Sequence, residues 1–134
     1  MMYTLDYKQL DAIEQVLLKD LFEAGVDCVF MIDMAGNIIA NVNNGDKKRD
    51  IYSLAALAAG NFAAVSAMAK AIGENEFSLL FHKGEKENMH FSKITNDFLL
   101  ITIFSKRISL GFVRMKVSEV GEKMERILGS SRNS

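Results

Sequence analysis

Near the start of the chain, apolar residues recur at the three- and four-residue spacing of one helix face. The residues in this series are Leu10, Ile13, Leu17 and Leu21. Asp6 followed by Gln9 is typical of a capped helix start, and Gly25 is a typical helix stop. The pattern predicts a first helix between Asp6 and Gly25 that buries a single face.

A run of β-branched and apolar residues then predicts a β-hairpin. Val26 to Asp33 forms its first strand, Met34 to Asn37 its turn, and Ile38 to Val42 its returning strand. The glycine in the turn is a residue that often separates paired strands.

Three more strands are predicted in the second half of the chain: Phe77 to Lys83, Asn88 to Thr95 and Phe98 to Ser105. The links between them are short enough for an antiparallel meander. The last strand is apolar on both faces, which is typical of a central strand covered above and below. We expect Phe77 to Lys83 to lie at an edge of the sheet.

The last helix is amphipathic and begins near Leu110. Its apolar series is Val113, Val117, Val120, Met124 and Ile127. Residues 129–134 have little to bury and are expected to form a disordered tail. The element order αββαβββα predicts an α/β (α+β) sandwich, a single domain over residues 1–128 with one five-stranded antiparallel sheet covered by helices on both faces.

The helix between Asp50 and Gly73 is unusual because no charged residue occurs from Ile51 to Ala69. At 100° per residue, one stripe collects its large side chains and is expected to face the core. This stripe contains Leu54, Leu57, Val65, Met68 and Ile72, with Asn61 among them. A solvated opposite side would normally carry charges, but here it carries mostly small residues: Tyr52, Ala56, Ala59, Gly60, Ala63, Ser66, Ala67 and Lys70.

Three interpretations of this helix are open. A membrane span needs about 20 strongly apolar residues, and the alanines, serines and Asn61 make this segment only weakly apolar. Complete burial inside the monomer would need cover from other helices as well as from the sheet. The third interpretation is an interaction surface, which large exposed apolar patches usually mark. The pattern favours the interaction surface.

Composition narrows the possible location and partners. The chain has 134 residues, of which 49% are hydrophobic, and no proline, which suits one compact domain. Its only cysteine, Cys28, lies in an apolar run, which predicts a buried thiol and a reducing compartment, with the cytoplasm as the default. The first six residues do not resemble a signal peptide. A net charge of −1 provides no electrostatic footprint for nucleic acid.

Few residues suggest catalysis or metal binding. Neither GxxxxGK[ST] nor GxGxxG occurs, so the chain is not an obvious nucleotide-binding enzyme. His82 and His90 lie on neighbouring strands, but a four-residue link prevents them from standing opposite each other, and no third ligand is near. We therefore expect no metal and no cofactor. The basic runs Lys47 to Arg49 and Lys106-Arg107 are expected to be solvated, with contact to a phosphate or an acidic partner as the alternative.

Three segments carry a resemblance to a known family. They are Ser-Leu-Ala-Ala-Leu-Ala-Ala-Gly-Asn at 53–61, Glu-Phe-Ser-Leu-Leu-Phe-His at 76–82 and Ser-Leu-Gly-Phe-Val-Arg at 109–114. With these segments, and over about Leu5 to Leu128, the chain resembles Roadblock/dynein-light-chain domains, most closely those of the bacterial MglB type.

The resemblance implies a profilin-like fold and a homodimer in which the second helices pack together and the third strands join the two sheets. Dimer contacts are then assigned to Tyr52, Ala56, Ala59, Phe77, Leu79 and Phe81. It also implies a regulator, without its own catalytic centre, that binds a Ras-like small GTPase of the MglA type and promotes GTP hydrolysis in bacterial polarity and motility signalling. GTPase contacts are assigned to Gly60, Ala63, Ala64, Ala67 and Lys70. A ligand-binding sensor module and a structural adaptor are the alternatives.

Overall fold

A computed structural model describes residues 5–43, 50–75 and 80–132. The elements follow the predicted order αββαβββα, with an added π-helical segment directly after the first helix. They are α1 (Tyr7–Val16), the π-helical segment (Leu17–Phe22), β1 (Cys28–Asp33), β2 (Ile38–Asn43), α2 (Ile51–Ala71), β3 (Leu80–Lys83), β4 (Glu87–Ile94), β5 (Phe98–Ser105) and α3 (Leu110–Arg132). Residues 77–79 of the predicted third strand lie outside the described residues.

The five strands form one antiparallel sheet in the order β2-β1-β5-β4-β3. β5 lies at the centre, and its residues from Phe98 to Phe104 are all buried. This confirms the prediction of a central strand that is covered on both faces. It also confirms that β3 is an edge strand.

Helices cover the two faces of the sheet unequally. On the first face, α1, the π-helical segment and α3 pack over a core that includes Val29, Met31 and Leu100. On the second face, α2 packs over Phe30, Ile101 and their neighbours. Among the described residues, three helical segments therefore cover one face of the sheet and a single helix covers the other.

The predicted helix starts are present. The amide of Gln9 donates to Oδ1 of Asp6 at 2.8 Å, and the amide of Asp6 donates to Oε1 of Gln9 at 3.0 Å, which together make a capping box. At the start of α2, Oδ2 of Asp50 accepts from the Ser53 hydroxyl at 2.6 Å, and Oδ1 accepts from the Ser53 amide at 3.1 Å. These hydrogen bonds lower the pKa of the Asp50 carboxyl.

The last helix is longer than the sequence predicted. A tail was expected over residues 129–134, but α3 continues to Arg132. Glycine and serine lower helix propensity without breaking the helix as proline does, and each added residue gains one backbone hydrogen bond once a helix has formed. A helix already 19 residues long at Leu128 can therefore continue through this weakly helix-forming segment.

Candidate interaction surface

α2 packs on the sheet mainly through small side chains, with Ile51, Leu54 and Phe62 partly buried against the same core. Its buried residues are Ala55, Ala58, Ala59 and Ala69. The bulk of this core comes from the sheet, whose side chains on this face include Phe30, Ile32, Phe91, Leu99, Ile101 and Ile103. Alanines bring the helix close to that surface, so the sheet contributes most of the side-chain volume of the core on this face.

Some large apolar residues of α2 point away from the core, while Ile51, Leu54 and Phe62 pack partly against it. Leu57 is 70% exposed, Met68 is 56% exposed and Ile72 is 70% exposed, while Leu54 and Val65 are half-buried. The expectation that this stripe faces the core is therefore wrong for Leu57, Met68 and Ile72, whereas Leu54 packs partly against it. The centre of the stripe is rotated by about a quarter turn from the buried alanines.

This stripe lies on the side of α2 that is nearer β3. A cavity of about 180 Å³ is lined by Leu54, Leu57 and Asn61 from the helix together with residues of β3 and β4. The strand residues that line it are His82, Met89 and Phe91. We call the set Leu54, Leu57, Asn61, Val65, Met68 and Ile72 the β3-side stripe.

The remaining free side of α2 carries the predicted GTPase contacts. Gly60, Ala63, Ala64, Ala67 and Lys70 are all exposed. The first four present almost no side chain, so another backbone can approach the helix closely. We call these four residues the outer stripe.

The predicted dimer contacts on α2 differ in their burial and in their neighbours. Ala59 is only 9% exposed and packs on the sheet, so its expected place on the outer side is wrong. Tyr52 is 81% exposed but lies beside Ile38 and Asn41 of β2, at the sheet edge opposite β3. Ala56 is exposed.

The predicted dimer contacts on the third strand are Phe77, Leu79 and Phe81. Phe81 is half-buried and packs on the first core, with its ring centroid 6.2 Å from that of Phe104. It therefore points to the sheet face opposite α2. Phe77 and Leu79 lie outside the described residues.

Sequence reasoning did not predict the environment of Asn61. Its Oδ1 atom is buried and has no hydrogen-bond partner within the described residues. The sequence signal was visible, since an amide stands at the centre of a stripe of large apolar residues. Hydrophobicity alone placed that stripe in the core, where the amide would have had no purpose.

The two histidines lie on opposite faces of the sheet. His82 pairs with Met89 and contacts the ring of Phe91 near α2, whereas His90 pairs with Phe81 and Thr102. Burial, with a smaller contribution from the positive charge of Arg114, lowers the pKa of His90 to about 4. Across the described ranges, no group of three or more His, Cys, Asp or Glu residues is arranged to hold a metal.

The structure describes some of the other positions that the sequence analysis singled out. Cys28 is fully buried in β1, as expected. Lys106 and Arg107 are exposed in the turn between β5 and α3. Residues 47–49 lie outside the described residues.

By length and composition, α2 is the one helix in the described part of the chain that could cross a membrane. In this fold Ala55 and Ala58 are buried against the sheet, while most of the helix is exposed. The exposed faces of the helix are therefore open to a partner while the helix remains part of the domain.

Comparisons with known proteins agree with this architecture. The Roadblock/LC7 domain model matches residues 13–104. MglB of Myxococcus xanthus is 34% identical with a TM-score of 0.82, and the match covers 97% of this chain and 95% of that one. The gliding protein MglB of Thermus thermophilus is 28% identical with a TM-score of 0.86 and 96% coverage of both chains. An MglB structure with a tetrameric arrangement is 27% identical with a TM-score of 0.87, again with 96% coverage of both chains.

A more distant likeness concerns the fold alone. Profilin IA of Acanthamoeba castellanii is 14% identical with a TM-score of 0.58, and the match covers 83% of this chain and 94% of that one. The sandwich is therefore profilin-like, as the resemblance implied.

Proposed function

Because the chain belongs to the Roadblock/LC7 domain family, we propose that it is a homodimeric regulator that binds a Ras-like small GTPase of the MglA type and promotes its GTP hydrolysis. The observation that carries this proposal is α2, a helix of 21 residues whose two exposed sides carry no charge from Ile51 to Ala69. Similarity to MglB structures supports the regulatory class. The expected setting is polarity and motility signalling in the bacterial cytoplasm.

We assign the dimer contact to the β3-side stripe together with the edge of β3. The stripe is apolar and partly exposed, and β3 has a strand neighbour on one side only in the described sheet. An unpaired edge readily adds another strand, and a twofold axis beside β3 would bring two stripes together at the same time. The residues of this contact differ from the initial set, because Tyr52 and Ala59 lie elsewhere on α2.

We assign the GTPase contact to the outer stripe and Lys70. In a dimer joined at β3, the outer stripes of both copies would lie on the same side of the joined sheet. They would form a flat platform of small residues with a lysine near the end of each helix. A platform of this kind can contact the backbone of a partner over a broad area.

Such a regulator acts on the conformation of its partner. If the platform binds the hydrolysis-competent form of the GTPase more tightly than the resting form, it raises the population of the competent form. The chain then contributes binding free energy, and the GTPase contributes the catalytic groups. The regulator alone should hydrolyse no GTP.

Binding to candidate GTPases tests this proposal. Purified protein would be mixed with Ras-like GTPases of the MglA type that carry either GDP or a non-hydrolysable GTP analogue, and complex formation would be measured by size and mass. Phosphate release would be followed in parallel with GTP. We expect preferential capture of the GTP form and faster hydrolysis, whereas equal binding of both forms or an unchanged rate would contradict the proposal.

A pair of variants makes the test specific to the outer stripe. Ala63→Glu places a charge where the contact would have to desolvate it without a partner, so capture should fall sharply. Asn96→Glu introduces the same charge in the exposed turn between β4 and β5 and should leave capture unchanged. If both variants bind like the wild type, the GTPase contact lies elsewhere.

A further inference from the structure

Asn61 has an unmet hydrogen-bonding requirement among the described residues. Its Oδ1 atom is buried and unpartnered within the described part of the chain, which costs free energy. An amide also adds little to the packing of a stripe made of leucine, valine and methionine. A donor from a second copy would meet this requirement once the amide turns outward from the stripe.

The large apolar residues of α2 are spaced symmetrically around Asn61. Leu57 and Val65 stand four residues before and after it, and Leu54 and Met68 stand seven residues before and after it. Asn61 is also the middle residue of the 21 in α2. A stripe with this symmetry matches itself when two copies of the helix run antiparallel about a twofold axis at Asn61.

We propose that Asn61 lies on the twofold axis of the homodimer and sets its register through reciprocal Nδ2–H···Oδ1 hydrogen bonds between two copies of this chain. The inference rests on the homodimer in the proposed function and identifies the residue that fixes its geometry. An amide suits this position because it carries both donors and an acceptor. A single buried asparagine among apolar positions is an established way of fixing register between paired helices.

In the same register, a side chain of the second copy would fill the cavity beside α2. Leu54 would face Met68 of the second copy, and Leu57 would face Val65 of the second copy. Leu54 and Leu57 line the cavity of about 180 Å³. Methionine is flexible and fills irregular gaps well, so Met68 of the second copy would enter the cavity and bury its exposed thioether.

Disulfide cross-linking tests the position of the axis. Two copies of a residue on the axis face each other, so Asn61→Cys should form a covalent dimer under mild oxidation. Residues seven positions away lie about 10 Å along the helix from the axis, which separates their two copies by about 20 Å. Met68→Cys alone should therefore stay uncross-linked, since a disulfide needs Cα atoms within about 7 Å. Cys28 is buried and should not react.

Two further variants test the role of the amide. Asn61→Asp would place two carboxylates opposite each other, so the dimer dissociation constant should rise at least about tenfold. Asn61→Leu replaces both partners by apolar groups, which can be nearly neutral, so the dimer should persist while its register relaxes. Asn41→Asp makes the same chemical change on the exposed surface of β2 and should leave the dissociation constant unchanged.

The outcomes separate this inference from the proposed function. A dimeric protein in which Asn61→Cys does not cross-link, or in which Asn61→Asp dimerises like the wild type, overturns the inference about Asn61 but leaves the regulator proposal standing. A wild-type protein that remains monomeric at micromolar concentration overturns both. Partition of the wild-type monomer into vesicles of phosphatidylethanolamine and phosphatidylglycerol would also overturn both.

Discussion

The hairpin turn after β1 approaches the backbone of α2 closely at Gly36. Asp33 ends β1, and its Oδ1 accepts from the amides of Ala35 and Asn37 at 3.0 and 2.9 Å. Gly36 follows with a φ of +92°, and a Cβ added there would stand 3.2 Å from the Cα of Ala56. The turn therefore touches the backbone of α2, and only glycine satisfies both the φ and the close approach.

Replacement of Gly36 by alanine should lower the free energy of unfolding. A left-handed backbone conformation costs a non-glycine residue about 1–3 kcal/mol, and the contact with Ala56 adds to that cost. Gly73→Ala is a matched control, because its φ is +87° but nothing lies within 4 Å of the added Cβ. Chemical denaturation should show a larger loss for Gly36→Ala, and equal losses would mean that the contact with α2 costs nothing.

His90 should make folding stability depend on pH. Its pKa is lowered from an ordinary value of 6.5 to about 4 in the folded protein, chiefly by burial. Between these values the unfolded chain binds a proton that the folded protein excludes, so the free energy of unfolding should fall as the pH drops from about 6.5 to about 4. The expected loss is of order 1–3 kcal/mol.

Two variants test this origin of the pH dependence. His90→Phe should flatten the free energy of unfolding between pH 4 and 6.5 relative to the wild type. Val117→Ala removes apolar volume from the first core. It should lower the free energy of unfolding without changing the slope of that free energy against pH. An unchanged slope in His90→Phe would assign the pH dependence to other groups.

At the scale of elements, α2 follows a packing rule that differs from the one its sequence suggests. The sheet beneath it supplies most of the large side chains, so alanines occupy the fully buried positions of the helix, while Leu57, Met68 and Ile72 are exposed. Ala55→Leu should overpack this contact and lower the free energy of unfolding by about 1–3 kcal/mol. Leu57→Ala should change it by less than about 0.5 kcal/mol, measured at a concentration where the wild type is monomeric. A large loss for Leu57→Ala would mean that Leu57 packs inside the monomer.

This contrast shows how much could be predicted from the sequence. Periodicity identified the elements and their order, because the amphipathic face of α1 and the apolar β5 each pack against one type of neighbour. It could not orient α2, since periodicity reports that a helix has distinct faces but does not report which partner covers each face. The position of Leu57 depends on the volume of residues far away in sequence, such as Phe30 and Phe91.

At the scale of the whole molecule, the three sides of α2 have three different neighbours in the proposed assembly. The alanines contact the sheet, the β3-side stripe would contact a second copy, and the outer stripe would contact the GTPase. Dimerisation and GTPase binding would then be separable, because Leu57 and Ala63 point in different directions. α2 would then take part in the monomer core, in the dimer contact and in the GTPase contact.

The described basic turn leads into α3, which packs on the sheet face opposite α2. Arg107 lies in the turn before α3, where its Nε is 3.3 Å from Oγ of Ser105, and the neighbouring Ile108 packs on the first core. That core lies on the sheet face opposite α2. An arginine that inserts into a GTPase active site would have to belong to, or reach, the platform.

Arg107→Ala should therefore reduce stimulation of GTP hydrolysis by less than about tenfold, because a removed arginine finger costs roughly 10³-fold or more. Phosphate release at saturating regulator would measure the effect. Ala63→Glu, assayed at the same concentration, should lose most of the stimulation because it disrupts binding to the platform. A loss near 10³-fold in Arg107→Ala with unchanged capture of the GTPase would show that this chain donates a catalytic arginine, and the GTPase would then contact the α3 side of the domain.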